Sequence, residues 1–173
     1  LRKDTAANRA LLDGCGALGS FVPCPWAPMG MSQTIMAHAA LKGSPLYDRR
    51  MRVEAPDGVV LLLDVKEPPP QAGGANAPVV VVLHCIAGDS GSGVVRMMND
   101  AFVERGWRAV AYNRRGHGDS SVLPSAVGGR TRKAFPLHSD PEDLALVAEH
   151  LSRTYPGAPM AMVGVSEGAN AMV

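Results

Sequence analysis

Val79-Val80-Val81-Val82-Leu83 narrows what this chain can fold into more than any other stretch. A strand with one wet face alternates apolar and polar residues. An unbroken β-branched run points apolar side chains to both faces, so both faces must be covered. Helices do that covering when the sheet is parallel. The sequence downstream repeats the arrangement. A glycine-rich loop from Gly88 to Gly93 leads into a predicted helix with Val95, Met98 and Phe102 at helical spacing, ended by Gly106. Arg108 to Tyr112 is the next predicted strand. A long loop from Asn113 to Ser139 precedes a second helix, with Asp140 as N-cap, Pro141 at the first position and acids in the first turn. Its apolar stripe is Leu144, Val147, Ala148 and Leu151, and Pro156-Gly157 stops it. Pro159 to Val165 reads as a third buried strand. Strand, helix, strand, helix, strand predicts a parallel α/β sheet.

Upstream the signals are weaker. Residues 1–28 are rich in Gly, Ala and Pro and read as an extended or disordered lead-in. Met31 to Leu41 reads as a short helix with Met31, Ile35 and Ala39 on one face and Gly43 as its stop. Arg50 to Ala55, the turn Pro56-Asp57-Gly58 and the run Val59 to Val65 predict a β-hairpin. Pro68-Pro69-Pro70 and the Gly/Ala stretch to Pro78 predict a surface loop.

Composition excludes several classes. At 173 residues with 46% hydrophobic and 19% charged residues, the chain is globular and large enough for one domain with a core. A net charge of +1 gives no field for nucleic acid, and the short basic groups around Arg50 and Arg132 read as solvated edges. Three cysteines without a C-x-x-C pair predict neither a disulfide framework nor a zinc site, and favour a reducing compartment. No run is long and apolar enough to span a membrane. The first residue is Leu, which together with the position of the motif described next leads us to expect a fragment.

Gly164-Val165-Ser166-Glu167-Gly168 follows the third predicted strand. G-x-S-x-G in that setting is a nucleophile elbow: a serine on a tight strand-to-helix turn, flanked by residues small enough to let the turn close. Ser166 is the candidate nucleophile for acyl transfer. The loop after the first buried strand, His84-Cys85-Ile86-Ala87-Gly88, is expected to supply one oxyanion-hole N–H, from Ile86 or Cys85, and Glu167 the other. His84 reads as a buried histidine that orders this loop, and Cys85 as a small buried residue. Asn113-Arg114-Arg115-Gly116-His117 follows the second buried strand, and Arg115 is expected to hold that loop by pairing with a carboxylate. His117 and the His138-Ser139-Asp140 stretch read as structural. Two other glycine motifs fail on context. Gly14 to Gly19 fits G-x-G-x-x-G but lacks a preceding strand, and Gly88 to Gly93 lacks the Lys-Ser/Thr of a phosphate loop. No ligand spacing for a metal is present.

With these residues assembled, the chain resembles the α/β-hydrolases. More narrowly it is similar to the esterase/lipase subfamily of the bacterial YheT-like hydrolases, the plant embryogenesis-associated EMB-like proteins and the animal membrane-anchored α/β-hydrolase-domain lipases. The segments that carry the resemblance are Pro25-Trp26 through Gln33-Thr34-Ile35, Pro56-Asp57-Gly58 with Leu62 and Asp64, His84 to Gly88, Asn113 with Arg115-Gly116, and Gly164 to Gly168 with Asn170. The resemblance implies an α/β fold: the N-terminal part of an α/β-hydrolase, a β-hairpin followed by a parallel βαβαβ unit ending at the elbow. On that reading residues 1–28 are the lead-in and 29–173 a partial domain cut after the elbow, with an open sheet edge at its last strand.

The function implied is a serine hydrolase that cleaves carboxylic esters, lipid or medium-chain, through an acyl-enzyme at Ser166 and without a cofactor. In this fold the acid and the histidine follow the serine, so both are expected beyond Val173, and the chain alone is expected to be inactive. Expected partners are small-molecule or lipid esters and no nucleic acid. The expected location is cytoplasmic or membrane-associated, with membrane association a property of the full-length protein. Cys85 stands where the subfamily pattern has glycine, and Glu167 where it has an apolar residue. These two departures leave open a non-catalytic α/β-hydrolase-like module, and an acyltransferase would share every residue named.

Overall fold

A computed structural model describes residues 5–15, 22, 24–41, 43–72, 74–121 and 141–172. The chain forms two compact units, Leu1–Ala40 and Leu41–Val173.

Among its described residues the first unit holds two helices, α1 (Ala6–Gly14) and α2 (Gly30–Ala40). Residues 6–14 lie inside the stretch read from sequence as an extended or disordered lead-in, and they are helical instead. The reason is local: Ala, Leu and Arg are strong helix formers. Thr5 caps the turn, its hydroxyl accepting the Asn8 N–H at 3.2 Å and its carbonyl the Arg9 N–H at 3.0 Å. The α2 helix lies within a residue of its expected bounds. Met31 and Ile35, expected on a packing face, are exposed.

The second unit is a five-stranded sheet of β1 (Arg49–Glu54), β2 (Val60–Lys66), β3 (Val79–Leu83), β4 (Arg108–Asn113) and β5 (Met160–Gly164). The strand order is β1-β2-β4-β3-β5. The hairpin β1-β2 is antiparallel and joins β4 antiparallel, while β4, β3 and β5 are parallel, with Val81 opposite both Val110 and Met162. Helices α3 (Gly93–Val103) and α4 (Pro141–Thr154) connect the parallel strands. A four-residue helix, α5 (Glu167–Asn170), follows the elbow.

The β-branched run is buried on both faces, as its sequence required. All five residues of β3 are fully buried. Val79, Val81 and Leu83 join Leu61, Leu63, Val65, Val110 and Tyr112 against Leu144, Val147 and Leu151 of α4. Val80 and Val82 face the other way, with Ala109 and Ala111, against Val95, Met98 and Phe102 of α3. The period-two alternation of a strand therefore assigns odd residues to one helical layer and even residues to the other.

β5 was read as fully buried, yet every residue of it is only half-buried. Its one strand neighbour among the described residues is β3, and no described strand pairs with its outer edge. The loop beyond residue 121, with the basic group around Arg132, the His138-Ser139 pair and the Asp140 cap, lies outside the described residues.

Candidate active site

Parallel strands point their carboxyl ends to one edge of the sheet, where open α/β folds bind ligands. Here β3, β4 and β5 deliver three loops to that edge: His84–Gly88, Arg114–His117 and Val165–Gly168.

The elbow is strained. Ser166 has φ 55° and ψ −118°, a conformation that costs a non-glycine residue on the order of 1–3 kcal/mol. Both flanking glycines are required by close approach. A Cβ on Gly164 would lie 2.4 Å from the backbone of Gly168 and Ala169, and one on Gly168 would lie 2.6 Å from the carbonyl oxygens of Leu83 and His84. The turn is closed by Gly168 N–H to the Val165 carbonyl and Ala169 N–H to the Ser166 carbonyl, both 2.9 Å. Val165 N–H continues the pairing to β3 at the Leu83 carbonyl, 3.0 Å. Ser166 is left exposed, and its hydroxyl has no hydrogen-bond partner among the described residues.

His84 is 1% exposed, and both ring nitrogens are engaged. Nδ1 donates to the Cys85 carbonyl at 2.7 Å, and Nε2 accepts the Arg114 N–H at 3.3 Å. That pairing fixes the neutral tautomer with its proton on Nδ1. Burial, aided by the positive charge of Arg114, pushes its pKa from 6.5 down to about 4. The imidazole is thus committed to joining the first loop to the second and leaves no lone pair for Ser166. Its ring lies 4.7 Å from that of His117. Ile86 is exposed on the turn, and Cys85, expected from the sequence to be buried, is only half-buried beside it. Ala87 is held at φ 55°, the other described non-glycine residue besides Ser166 with a positive φ.

Asn113 and Arg115 are hydrogen-bonded to the hairpin, to its turn and to α4 rather than to the serine. The Asn113 amide oxygen accepts the Ser90 N–H at 2.8 Å, while its NH2 donates to Asp64 at 2.9 Å. Asp64, almost fully buried in β2, also takes Arg50 at 2.6 and 3.0 Å. Burial opposes the Asp64 charge, but the donors from Arg50, Ser90 and Asn113 prevail and hold its pKa below the usual carboxylate range. Arg115 grips Asp143 of α4 with two bonds, at 2.8 and 2.7 Å, and reaches Asp57 in the hairpin turn at 2.6 Å. A cavity of about 530 Å³ opens beside that network, lined by Pro56, Asp57, Arg115, Glu142, Leu146 and their neighbours; the elbow contributes nothing to it.

Glu167 points its carboxylate at Arg114. Nη1 donates to Oε1 at 2.6 Å, and Nη2 donates to Oε2. The side chains are 7% and 15% exposed. Arg114 keeps the Glu167 carboxyl below its ordinary pKa, against the opposing effect of burial. Arg114 is the site residue that sequence reasoning passed over. It occupies the variable position of N-x-R-G, and the signal that could have found it was the unusual acid at Glu167, which needed a cation.

The sheet order, the covering helices and the strained serine define an α/β-hydrolase. Residues 74–173 match the family described as serine aminopeptidase, S33, and the chain belongs to that family. It is similar to phospholipase ABHD3 of Mus musculus, 27% identical over 165 residues, which cover 93% of this chain and 38% of that protein. It is also similar to the embryogenesis-associated protein EMB8 of Picea glauca, 32% identical over 98 residues, 57% of this chain and 20% of that one. The chain therefore spans less than two fifths of these relatives. Among solved structures, an α/β serine hydrolase homologue from Coxiella burnetii superposes with a TM-score of 0.54 at 19% identity, over 73% of this chain and 56% of that one. Est1E of Butyrivibrio proteoclasticus, solved with ferulic acid bound, gives 0.55 at 16% identity, over 70% and 45%. Both share the fold. No helix among the described residues is long and apolar enough to cross a membrane.

Proposed function

We propose that the chain carries the nucleophile of a serine hydrolase acting on carboxylic esters, with lipid or medium-chain acyl esters as substrates. The observation that carries this reading is the backbone of Ser166: a non-glycine residue held at φ 55° between two glycines that cannot carry a Cβ. Strain of that kind persists only where the surrounding structure over-determines it, and it clusters at functional sites. The similarity to proteins named phospholipase supports the substrate class.

In this mechanism the Ser166 Oγ attacks the acyl carbonyl, and its proton passes to a histidine. The carbonyl π electrons move to oxygen, and the N–H groups of Ile86 and Glu167 bind the oxyanion. Collapse expels the alcohol, which takes the proton from the histidine. Water then repeats the sequence and frees the acid. Each oxyanion donor contributes about 3 kcal/mol. The histidine and its acid are supplied from outside the described residues in this scheme, because no described histidine is hydrogen-bonded to the serine and His84 is already committed. His84, Asn113 and Arg115 support the loops in this scheme.

A chromogenic short-chain ester tests the reading. The protein expressed from its complete reading frame should turn it over and lose at least a thousandfold in kcat on Ser166→Ala. Ser166-independent turnover would sink the nucleophile assignment.

A further inference from the structure

Two variable positions of otherwise separate motifs carry opposite charges and meet. Arg114 is the x of Asn113-x-Arg115-Gly116, Glu167 is the x after the serine of G-x-S-x-G, and they are 53 residues apart in sequence. Their forked contact is nearly buried. The main chain of the same arginine donates to His84, which in turn bonds the Cys85 carbonyl. Arg114 thus touches both loops that flank the serine, one with its backbone and the other with its guanidinium.

We propose that Arg114 is a positioning residue for the Ser166 site, holding the Glu167 carboxylate away from the place where the oxyanion forms. This rests on the reading of Ser166 as nucleophile. The physical argument is one of charge. Glu167 offers its N–H to the developing oxyanion, while its own side chain carries the wrong sign. A largely buried carboxylate left unpaired beside the serine would oppose the negative charge that the N–H is there to stabilise. The bidentate guanidinium neutralises the carboxylate and fixes its direction. An acid at this position is therefore compatible with chemistry only in company with the arginine across the cleft.

The test uses three variants of the protein expressed from its complete reading frame, with a chromogenic short-chain ester and an active-site-directed fluorophosphonate. Arg114→Met strands the carboxylate, so kcat and the labelling rate should fall roughly 10- to 100-fold with KM within about twofold. That loss should shrink toward acidic pH, as Glu167 takes up a proton. Arg114→Met/Glu167→Met removes both charges and should recover to within about fivefold of wild type, because a buried pair replaced by apolar residues is commonly tolerated. Glu167→Met alone leaves the arginine unpaired but adds no negative charge, so its kcat should stay above that of Arg114→Met. The double variant keeps the test decisive if a single variant folds poorly. Wild-type labelling at Ser166 with an Arg114→Met rate equal to wild type overturns this proposal alone. A double variant no faster than Arg114→Met overturns it as well. Absence of Ser166-dependent labelling in the wild type overturns the nucleophile reading and this proposal together.

Discussion

At Gly168, backbone atoms decide which residue is allowed. A Cβ there would sit 2.6 Å from two carbonyl oxygens of β3 and its loop, well inside contact distance. Gly168→Ala should therefore cost about 1–3 kcal/mol, read as a lower urea midpoint at unchanged slope. His84 makes a second prediction, about pH. Above pH 6.5 the imidazole is neutral in both states, so folding takes up or releases no proton there. Between 6.5 and about 4 the unfolded chain binds a proton that the buried ring refuses. Stability should fall as pH drops through that window, by about 3 kcal/mol in all. A urea series from pH 7 to 4 should show the loss, and His84→Gln should remove most of it. Glu167, whose carboxyl the arginine holds down, loses its contribution further toward acid. These residues were unevenly legible in the sequence. Ser166, its glycines and His84 stand in recognisable motifs. Arg114 does not, because its role depends on a partner that only the parallel packing of β4 beside β3, and β3 beside β5, brings near.

The elements are tied together by charge as well as by the apolar layers. Arg115 joins three of them: the loop after β4, the turn between β1 and β2 through Asp57, and α4 through Asp143. Asp143 is almost fully buried, so Arg115→Met leaves a carboxylate without its main compensation. The expected loss is about 3–5 kcal/mol, measured by denaturant unfolding, with Asp143→Asn losing less. The strands and helices of the second unit were readable because their signals are local: β-branched runs, helical apolar spacing, Pro141 at a helix start. α1 was missed because its start signal, Thr5 before a run of Ala and Leu, is short and the stretch was weighed together with the Gly- and Pro-rich residues that follow it. The exposed Met31 and Ile35 of α2 show the converse error, a periodic stripe that the fold leaves unburied.

Across the second unit, protection should follow position in the sheet. β3 has β4 on one side and β5 on the other and is wholly buried, whereas β1 and β5 each have one described neighbour. Amide exchange should be slowest in Val80 to Leu83 and at least tenfold faster in Met160 to Val163, with uniform protection across the sheet the result that contradicts this ordering. The loops after β3 and β4 thus leave the best-protected strands, and the elbow, at the end of the less protected β5, is tied to β3 by the Val165 N–H on the Leu83 carbonyl. What the sequence could not supply at this scale is the serine's base. Among the described residues no histidine is hydrogen-bonded to Ser166, and the His84 ring is taken up by the Cys85 carbonyl and the Arg114 N–H.

The central claim is that the strain at Ser166 serves a nucleophile. The most direct measurement is mass-spectrometric mapping of the protein expressed from its complete reading frame after exposure to a fluorophosphonate. The expected result is a single phosphonyl adduct on the peptide containing Ser166, absent from Ser166→Ala. No adduct, or an adduct that persists in Ser166→Ala, would contradict it.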